Sequence, residues 1–227
     1  MQFLTQFLDF FLPRLCPSCK IKLDISEEVI CNSCLLKIKR ADEERLCREF
    51  ERKFRNEKII SAFISVFVFE KDKELQNIIH ELKYNGKFSI GTFLGKILAS
   101  DMKIQIEEWA IDFIVPVPLH HLKRAERGYN QSDFIAKGIK SVLRIPVMSN
   151  LLKRKRFTET QTNLTLAERK ENVRDAFSLK AKNEFIGKHI LLLDDVITTG
   201  ATISECGRII LECGAANVYA ASLAIAD

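Results

Sequence analysis

Nowhere in these 227 residues does an apolar run approach the roughly 20 residues that a helix needs to cross a bilayer, which excludes a membrane-spanning helix. Met1 to Leu12 is apolar, but with no Lys or Arg before Arg14 and with Asp9 inside it, the stretch reads as a poor signal peptide. The cysteines number seven, an odd count that does not suit the paired framework of a small secreted domain. Neither sign of charge is in large excess. The 35 Lys and Arg against 30 Asp and Glu leave +5, which permits a polyanionic partner without arguing for one. At 47% hydrophobic and 29% charged, the composition is that of an ordinary soluble protein, long enough for one sizeable domain and a small one. The expected location is the cytoplasm, with any membrane association arising through partners.

What the chain does have begins with a stripe. Phe3/Leu4, Phe7/Leu8 and Phe11/Leu12 recur every four residues, which predicts a short helix docked on the body, or a membrane-surface or partner helix if cations flanked it. Next come two CxxC knuckles, Cys16-Pro17-Ser18-Cys19 and Cys31-Asn32-Ser33-Cys34. Four thiolates at this spacing can close on one tetrahedral Zn²⁺, or on iron in a rubredoxin-like site. Such a site has no open coordination position, so its role is structural or partner-binding, and a ribbon this small would draw its folding energy from the metal. Cys206 and Cys213 lie on a predicted helix and read as packing.

Ala41 to Lys58 mixes both signs of charge, as an exposed helix or connector would, so a soft boundary falls there: residues 1–40 ribbon, 41–58 connector, 59–227 main domain. From Ile59 onward strands alternate with helices. Strands are expected at Ile59–Phe69, Asp112–Pro118, Pro146–Leu152, near Phe177–Leu179, at the run from Ile190, and at Val218–Ala226. Helices are expected at Glu74–Lys83, Ile90–Met102, from about Ser132, and over Ile203–Cys213 with Gly214 after it. The fold class this predicts is α/β, a mostly parallel sheet flanked by helices with a small N-terminal zinc ribbon.

The chemistry concentrates where Ile190-Leu191-Leu192-Leu193 runs into Asp194-Asp195-Val196-Ile197-Thr198-Thr199-Gly200-Ala201-Thr202. A loop entering a helix N-terminus aims backbone N–H groups at an anion, Gly200 permits close approach, and the Thr hydroxyls add donors. Paired carboxylates repel phosphate, so they suit ribose hydroxyls or a divalent cation. A second cluster follows the Asp112–Pro118 strand: Lys123, Arg124 and Arg127 beside Gly128, at the mouth of the next helix. Cations at the carboxyl end of a parallel strand suit diphosphate, which Arg can grip with two bonds. A third is Lys153-Arg154-Lys155-Arg156, fit for a nucleic-acid backbone, at the start of a long polar stretch. His120 and His121 read as surface residues.

Taken together these segments resemble known families. LLLDDVITTGAT looks like the phosphoribosyl diphosphate (PRPP) loop of type I phosphoribosyltransferases, and the whole chain resembles the competence protein F (ComF, or GntX-like) family. The resemblance implies a type I phosphoribosyltransferase-like domain in which Asp194 and Asp195 hold ribose and Mg²⁺, and Thr198, Thr199, Gly200 and Thr202 hold the 5′-phosphate. It makes the segment with Pro118, Arg124, Arg127, Gly128, Asn130 and Gln131 the diphosphate loop, and turns Lys83, Tyr84, Gly86 and Lys87 toward the ligand. Thr160, Gln161, Thr162, Leu164, Arg169, Asn172, Val173 and Phe177 match the family's lid segment, which would shield an oxocarbenium-like sugar from water.

Three functions follow as expectations. The first is a competence factor that binds PRPP and acts in uptake of single-stranded DNA, with a competence helicase as partner. The second is an active Mg²⁺-dependent nucleobase phosphoribosyltransferase in salvage, with Arg124 and Arg127 stabilising the departing diphosphate. The third is a PRPP-sensing regulator without turnover. Many purine salvage transferases build part of their base pocket beyond the last strand. Here the sequence stops at Asp227, so any hood over a base is expected from residues 35 to 70 or the ribbon.

Overall fold

A computed structural model of the chain describes residues 13–71, 73–155 and 173–226. The strands, in chain order, are β1 (Phe63–Val68), β2 (Phe113–Pro116), β3 (Leu152–Arg154), β4 (Phe177–Leu179), β5 (His189–Ile197) and β6 (Asn217–Ile225). Four of them make one parallel sheet in the order β1-β6-β5-β2. A parallel bridge between Ile114 and Val147 carries it one step past β2, while Arg40 pairs antiparallel with Phe67 at the opposite edge. The fold class is the expected one, a mostly parallel sheet flanked by helices.

β5 runs between β2 and β6, and Ile190, Leu191, Leu192 and Leu193 are fully buried. Its unbroken apolar run follows from cover on both faces, since successive side chains point to opposite sides of the sheet. Leu191 and Leu193 join the core beneath α3 (Glu74–Tyr84), α4 (Ser89–Asp101) and α7 (Gln131–Leu143). Ile190 and Leu192 pack on the other side with Ile203, Cys206 and Ile210 of α8 (Ala201–Leu211) and with Phe54. Each such fully buried aliphatic side chain contributes about 1.5–3 kcal/mol. Helices α4 and α7 approach so closely that a Cβ on Gly138 would lie 2.2 Å from the carbonyl oxygen of Thr92, which fixes where the N-terminus of α7 points.

At the N-terminal end α1 (Asn32–Lys37) carries the second knuckle and α2 (Glu43–Lys53) follows it. Cys16, Ile30, Cys34 and Ile38 belong to the same buried cluster as Leu75, Ile78 and Leu82 of α3, so the ribbon shares the core of the main domain.

The differences from expectation have local causes. The strand expected from Ile59 begins at Phe63. Two short helices, α5 (Lys103–Glu108) and α6 (His121–Arg127), were not expected. α6 buries no residue, so no apolar period announces it; it is defined by a cap and a stop. His120 Nδ1 accepts from the Leu122 amide at 3.4 Å, and Gly128 ends the helix at φ 80°. His120 is therefore buried, 3% exposed, where a surface residue was expected. β4 pairs antiparallel with β3 in a separate two-stranded sheet. The N-terminal apolar stripe, Arg156 and the lid matches from Thr160 to Asn172 lie outside the described residues.

Candidate ligand site and metal centre

Asp194 and Asp195 sit near the carboxyl end of β5, where a parallel sheet opens toward ligands. Asp195 is ringed by donors: Lys83 Nζ at 2.7 Å, Gln131 Nε2 at 3.2 Å on the same oxygen, and the Val196 amide at 2.8 Å on the other. Burial pushes the Asp195 carboxyl up, but the Lys83 ammonium, the Val196 amide and Gln131 together outweigh it and hold the group below its ordinary range. Asp194 has less support, the Ser132 hydroxyl at 3.4 Å and the Asp195 amide at 2.8 Å on one oxygen. Burial, and then the neighbouring carboxylate of Asp195, push it up to about 7. The pair is thus divided into one settled anion and one group that can exchange a proton or accept a cation near neutral pH.

After Ile197 the chain turns through Thr198 and Thr199 to Gly200, whose φ of +80° is a left-handed conformation, and α8 begins. The Thr199 hydroxyl accepts from the Ala201 amide at 3.4 Å. Asp194 and the segment from Val196 to Ile203 surround a cleft of about 40 Å³ at the N-terminus of this helix, a place that favours an anion.

The turn is held from behind by residues that sequence reading did not single out. Lys53, at the end of α2 and 8% exposed, donates to the carbonyl oxygen of Thr198, and at 3.0 Å to that of Ala226. Phe54 lies so close to Gly200 that a Cβ there would come within 2.7 Å of its ring. α2 is thus more than an exposed connector. A Lys in a helix of mixed charge gives no signal of this contact, because the same pattern serves a solvated face.

The two arginines of the basic segment face different ways. Arg127 donates to the Tyr84 hydroxyl at 3.3 Å and stacks over that ring at 5.0 Å, joining α6 to the end of α3. Arg124 instead lines a separate cleft of about 330 Å³ with Lys153, Arg154 and Lys155, brought alongside by a backbone bridge between His120 and Arg154. Lys123, between them, is lowered by burial and then by the Arg154, Arg127 and Lys83 cations, which registers how dense the positive charge is. Asn130 caps α7 through Ser132 and donates to the Val117 carbonyl at 3.0 Å, while Gln131 is turned toward Asp195. Of the residues that resemblance turned toward the ligand, Lys83 pairs with Asp195, Tyr84 with Arg127, and Lys87 with Glu81 at 2.9 Å.

The four knuckle cysteines converge: all four Sγ atoms lie within 4.8 Å of one another, the single such group among the described residues. Tetrahedral Zn–S bonds of about 2.3 Å place sulfurs about 3.8 Å apart, and Cys19 and Cys31 stand at 3.7 Å, so the cluster fits a zinc ribbon. Cys31 caps α1, accepting from the Cys34 amide at 3.4 Å. Glu27 accepts from the amides of Asp24 and Asn32 at 2.9 and 2.7 Å, tying the loop between knuckles to the second one. Lys20 then reaches out of the ribbon to Glu81 on α3.

A parallel sheet that sets an acidic pair and a Thr-Thr-Gly turn at the head of a helix defines a type I phosphoribosyltransferase domain, and residues 130–226 match the family model described as phosphoribosyl transferase domain. Competence protein F of Haemophilus influenzae is 30% identical over 235 residues, covering 96% of this chain and 99% of that protein. The DNA utilization protein YhgH of Salmonella typhi is 32% identical over 156 residues, 67% of this chain and 68% of that one. Competence protein ComFC of Bacillus subtilis is 26% identical over 204 residues, 89% and 80% of the two chains. The chain belongs to the competence protein F family. Among the described residues no helix is long and apolar enough to cross a membrane.

Proposed function

We propose that this protein binds PRPP with Mg²⁺ at the Asp194–Thr202 segment and acts in the uptake and handling of single-stranded DNA during natural transformation. The observation that carries the ligand assignment is the division of labour at the end of β5. Asp195 is neutralised by Lys83, Asp194 keeps acceptor capacity, and an anion-seeking helix N-terminus lies one turn away. Ribose hydroxyls fit the acidic pair and the 5′-phosphate fits the amides and hydroxyls of Thr198 to Thr202. Asp194 and Asp195 would hold Mg²⁺, which when bound would supply positive charge to offset that of the diphosphate. Lys83 and Arg127 supply the protein's own cations toward the diphosphate. The biological role draws its support from the competence and DNA utilization proteins to which the chain is similar, and from the basic strand at Lys153–Lys155. Zn²⁺ in the Cys16, Cys19, Cys31 and Cys34 cluster would hold the ribbon against α3, and a competence helicase is the expected protein partner.

Calorimetric titration of PRPP and Mg²⁺ into the wild type and into Asp194→Asn/Asp195→Asn tests the ligand. Binding by the first and none by the second is expected, and equal heats would overturn the assignment. A following titration with single-stranded DNA should show binding that weakens steeply with salt. Release of diphosphate on adding a nucleobase would move the protein to salvage chemistry.

A further inference from the structure

The cleft beside Arg124 is outside the acidic pair and the Thr-Thr-Gly turn, and its chemistry is mixed in a telling way. Its rim carries the cations Arg124, Lys153, Lys155 and Lys180. Leu119 and Leu152 give it apolar wall. Asp133, on the first turn of α7, also faces it, and Oδ1 of Asp133 is buried without a hydrogen-bond partner. The groups around that carboxylate are Ser149, which bonds to it, and Arg124, while burial pushes it above the ordinary carboxylate range.

A bare phosphate would be drawn to the rim and repelled by Asp133. A metal cation would suit Asp133 and be repelled by the rim. An apolar ligand would leave the buried acceptor unsatisfied, at the cost of a missing hydrogen bond. One ligand class meets all three demands: an anion joined through a short linker to a flat group with an N–H donor, which is a nucleotide. We propose that this cleft takes one nucleotide of a single-stranded DNA, its phosphate on Arg124, Lys153 and Lys155 and an amino or imide N–H of its base on Asp133 Oδ1. The proposal rests on the reading of the chain as a handler of single-stranded DNA and adds a point at which the protein touches a base as well as the backbone. Backbone contacts alone are indifferent to the base; a buried acceptor facing its edge is not.

The test uses the full chain and short fluorescent oligonucleotides of abasic sugar-phosphates that carry one base or none, followed by anisotropy at low salt. The base-bearing strand should bind about tenfold more tightly than the abasic one, the value of a single well-made base contact. Asp133→Ala should erase that difference while abasic affinity holds or rises with the loss of the carboxylate's repulsion, and Asp133→Asn, which keeps an acceptor, should retain most of the difference. Abasic affinity no weaker than the wild type's also reports that Asp133→Ala has folded. Lys153→Gln with Lys155→Gln should weaken both strands equally and flatten the salt dependence. Equal binding of base-bearing and abasic strands by the wild type would overturn the cleft assignment and leave the DNA reading standing. The absence of any oligonucleotide binding at low salt would overturn both. Tight binding of a free mononucleotide without strand binding would show a metabolite site and overturn the proposal.

Discussion

Lys53 donates from a buried ammonium to the carbonyl oxygen of Thr198, so a helix from the N-terminal part of the chain holds the proposed phosphate-binding turn in place from behind. Lys53→Met should therefore act twice. Loss of the ammonium leaves two carbonyl groups short of a donor and Glu49 dependent on Arg52 and Arg45, which costs about 2 kcal/mol in urea unfolding. PRPP affinity should also fall in calorimetry, whereas Glu51→Gln on the exposed side of α2 should change neither. Wild-type affinity in a destabilised Lys53→Met protein would separate the lysine from the turn.

Gly200 meets two constraints that can be pulled apart. Gly200→Ala places a methyl 2.7 Å from the Phe54 ring and forces a non-glycine residue to φ +80°. The left-handed backbone alone costs roughly 1–2 kcal/mol. Adding Phe54→Leu should recover the steric part of the loss and none of the backbone part. Full recovery in thermal melts would show that the conformation of Gly200 is unstrained for other residues.

Protonation of Asp194 should be visible in ligand binding. Its carboxyl is pushed up to about 7 by burial and by Asp195, from the ordinary aspartate value of 3.8. In the unliganded protein its contribution to stability is therefore complete below pH 3.8 and is lost as pH rises through about 7. A divalent cation must displace that proton, so affinity for Mg²⁺–PRPP should fall about tenfold for each pH unit below 7. Calorimetry in buffers of different ionisation heat should record proton release near neutrality from the wild type and none from Asp194→Asn.

The ribbon and the main domain should lose stability together. Cys16, Cys31 and Cys34 lie in one buried cluster with Leu75, Ile78 and Leu82, so metal removal exposes the face of α3 as well as the knuckles. Elemental analysis should find one Zn²⁺ per chain, lost in Cys31→Ser. A chelator should lower the melting temperature of a single transition. Two separate transitions, with the higher one unmoved, would show that the ribbon folds by itself.

The elements that could be read in advance were those whose burial imposes a period. β5 and α8 announce themselves in the run Ile190–Leu193 and the spacing of Ile203, Cys206 and Ile210, and α3 and α4 fall within a residue or two of expectation. The acidic pair was legible because two adjacent carboxylates before Thr-Thr-Gly have no use as plain caps. α6 was not, since a helix held by His120 at one end and Gly128 at the other has no apolar face. The opposed directions of Arg124 and Arg127 are equally silent, because helical position decides them and the helix itself was hidden. The contacts of Lys53 and of Asp133 depend on chain segments far apart in sequence, which composition and spacing do not report.

Glu81 and Lys83 stand two residues apart on α3, so they point about 200° apart around its axis. Glu81 turns to Lys20 of the ribbon and Lys83 to Asp195. The helix works like a key cut on two sides, and its angular setting is shared by the metal knuckle and the acidic pair. Inserting or deleting one residue between Leu75 and Glu81 would rotate both cuts by about 100° against the first turn of the helix, whose Leu75 is buried. Length changes in the turn at Asn85–Gly86, beyond both cuts, would leave their phase intact. Natural variation in chain length is thus expected to collect after Tyr84 and to avoid the turns before it.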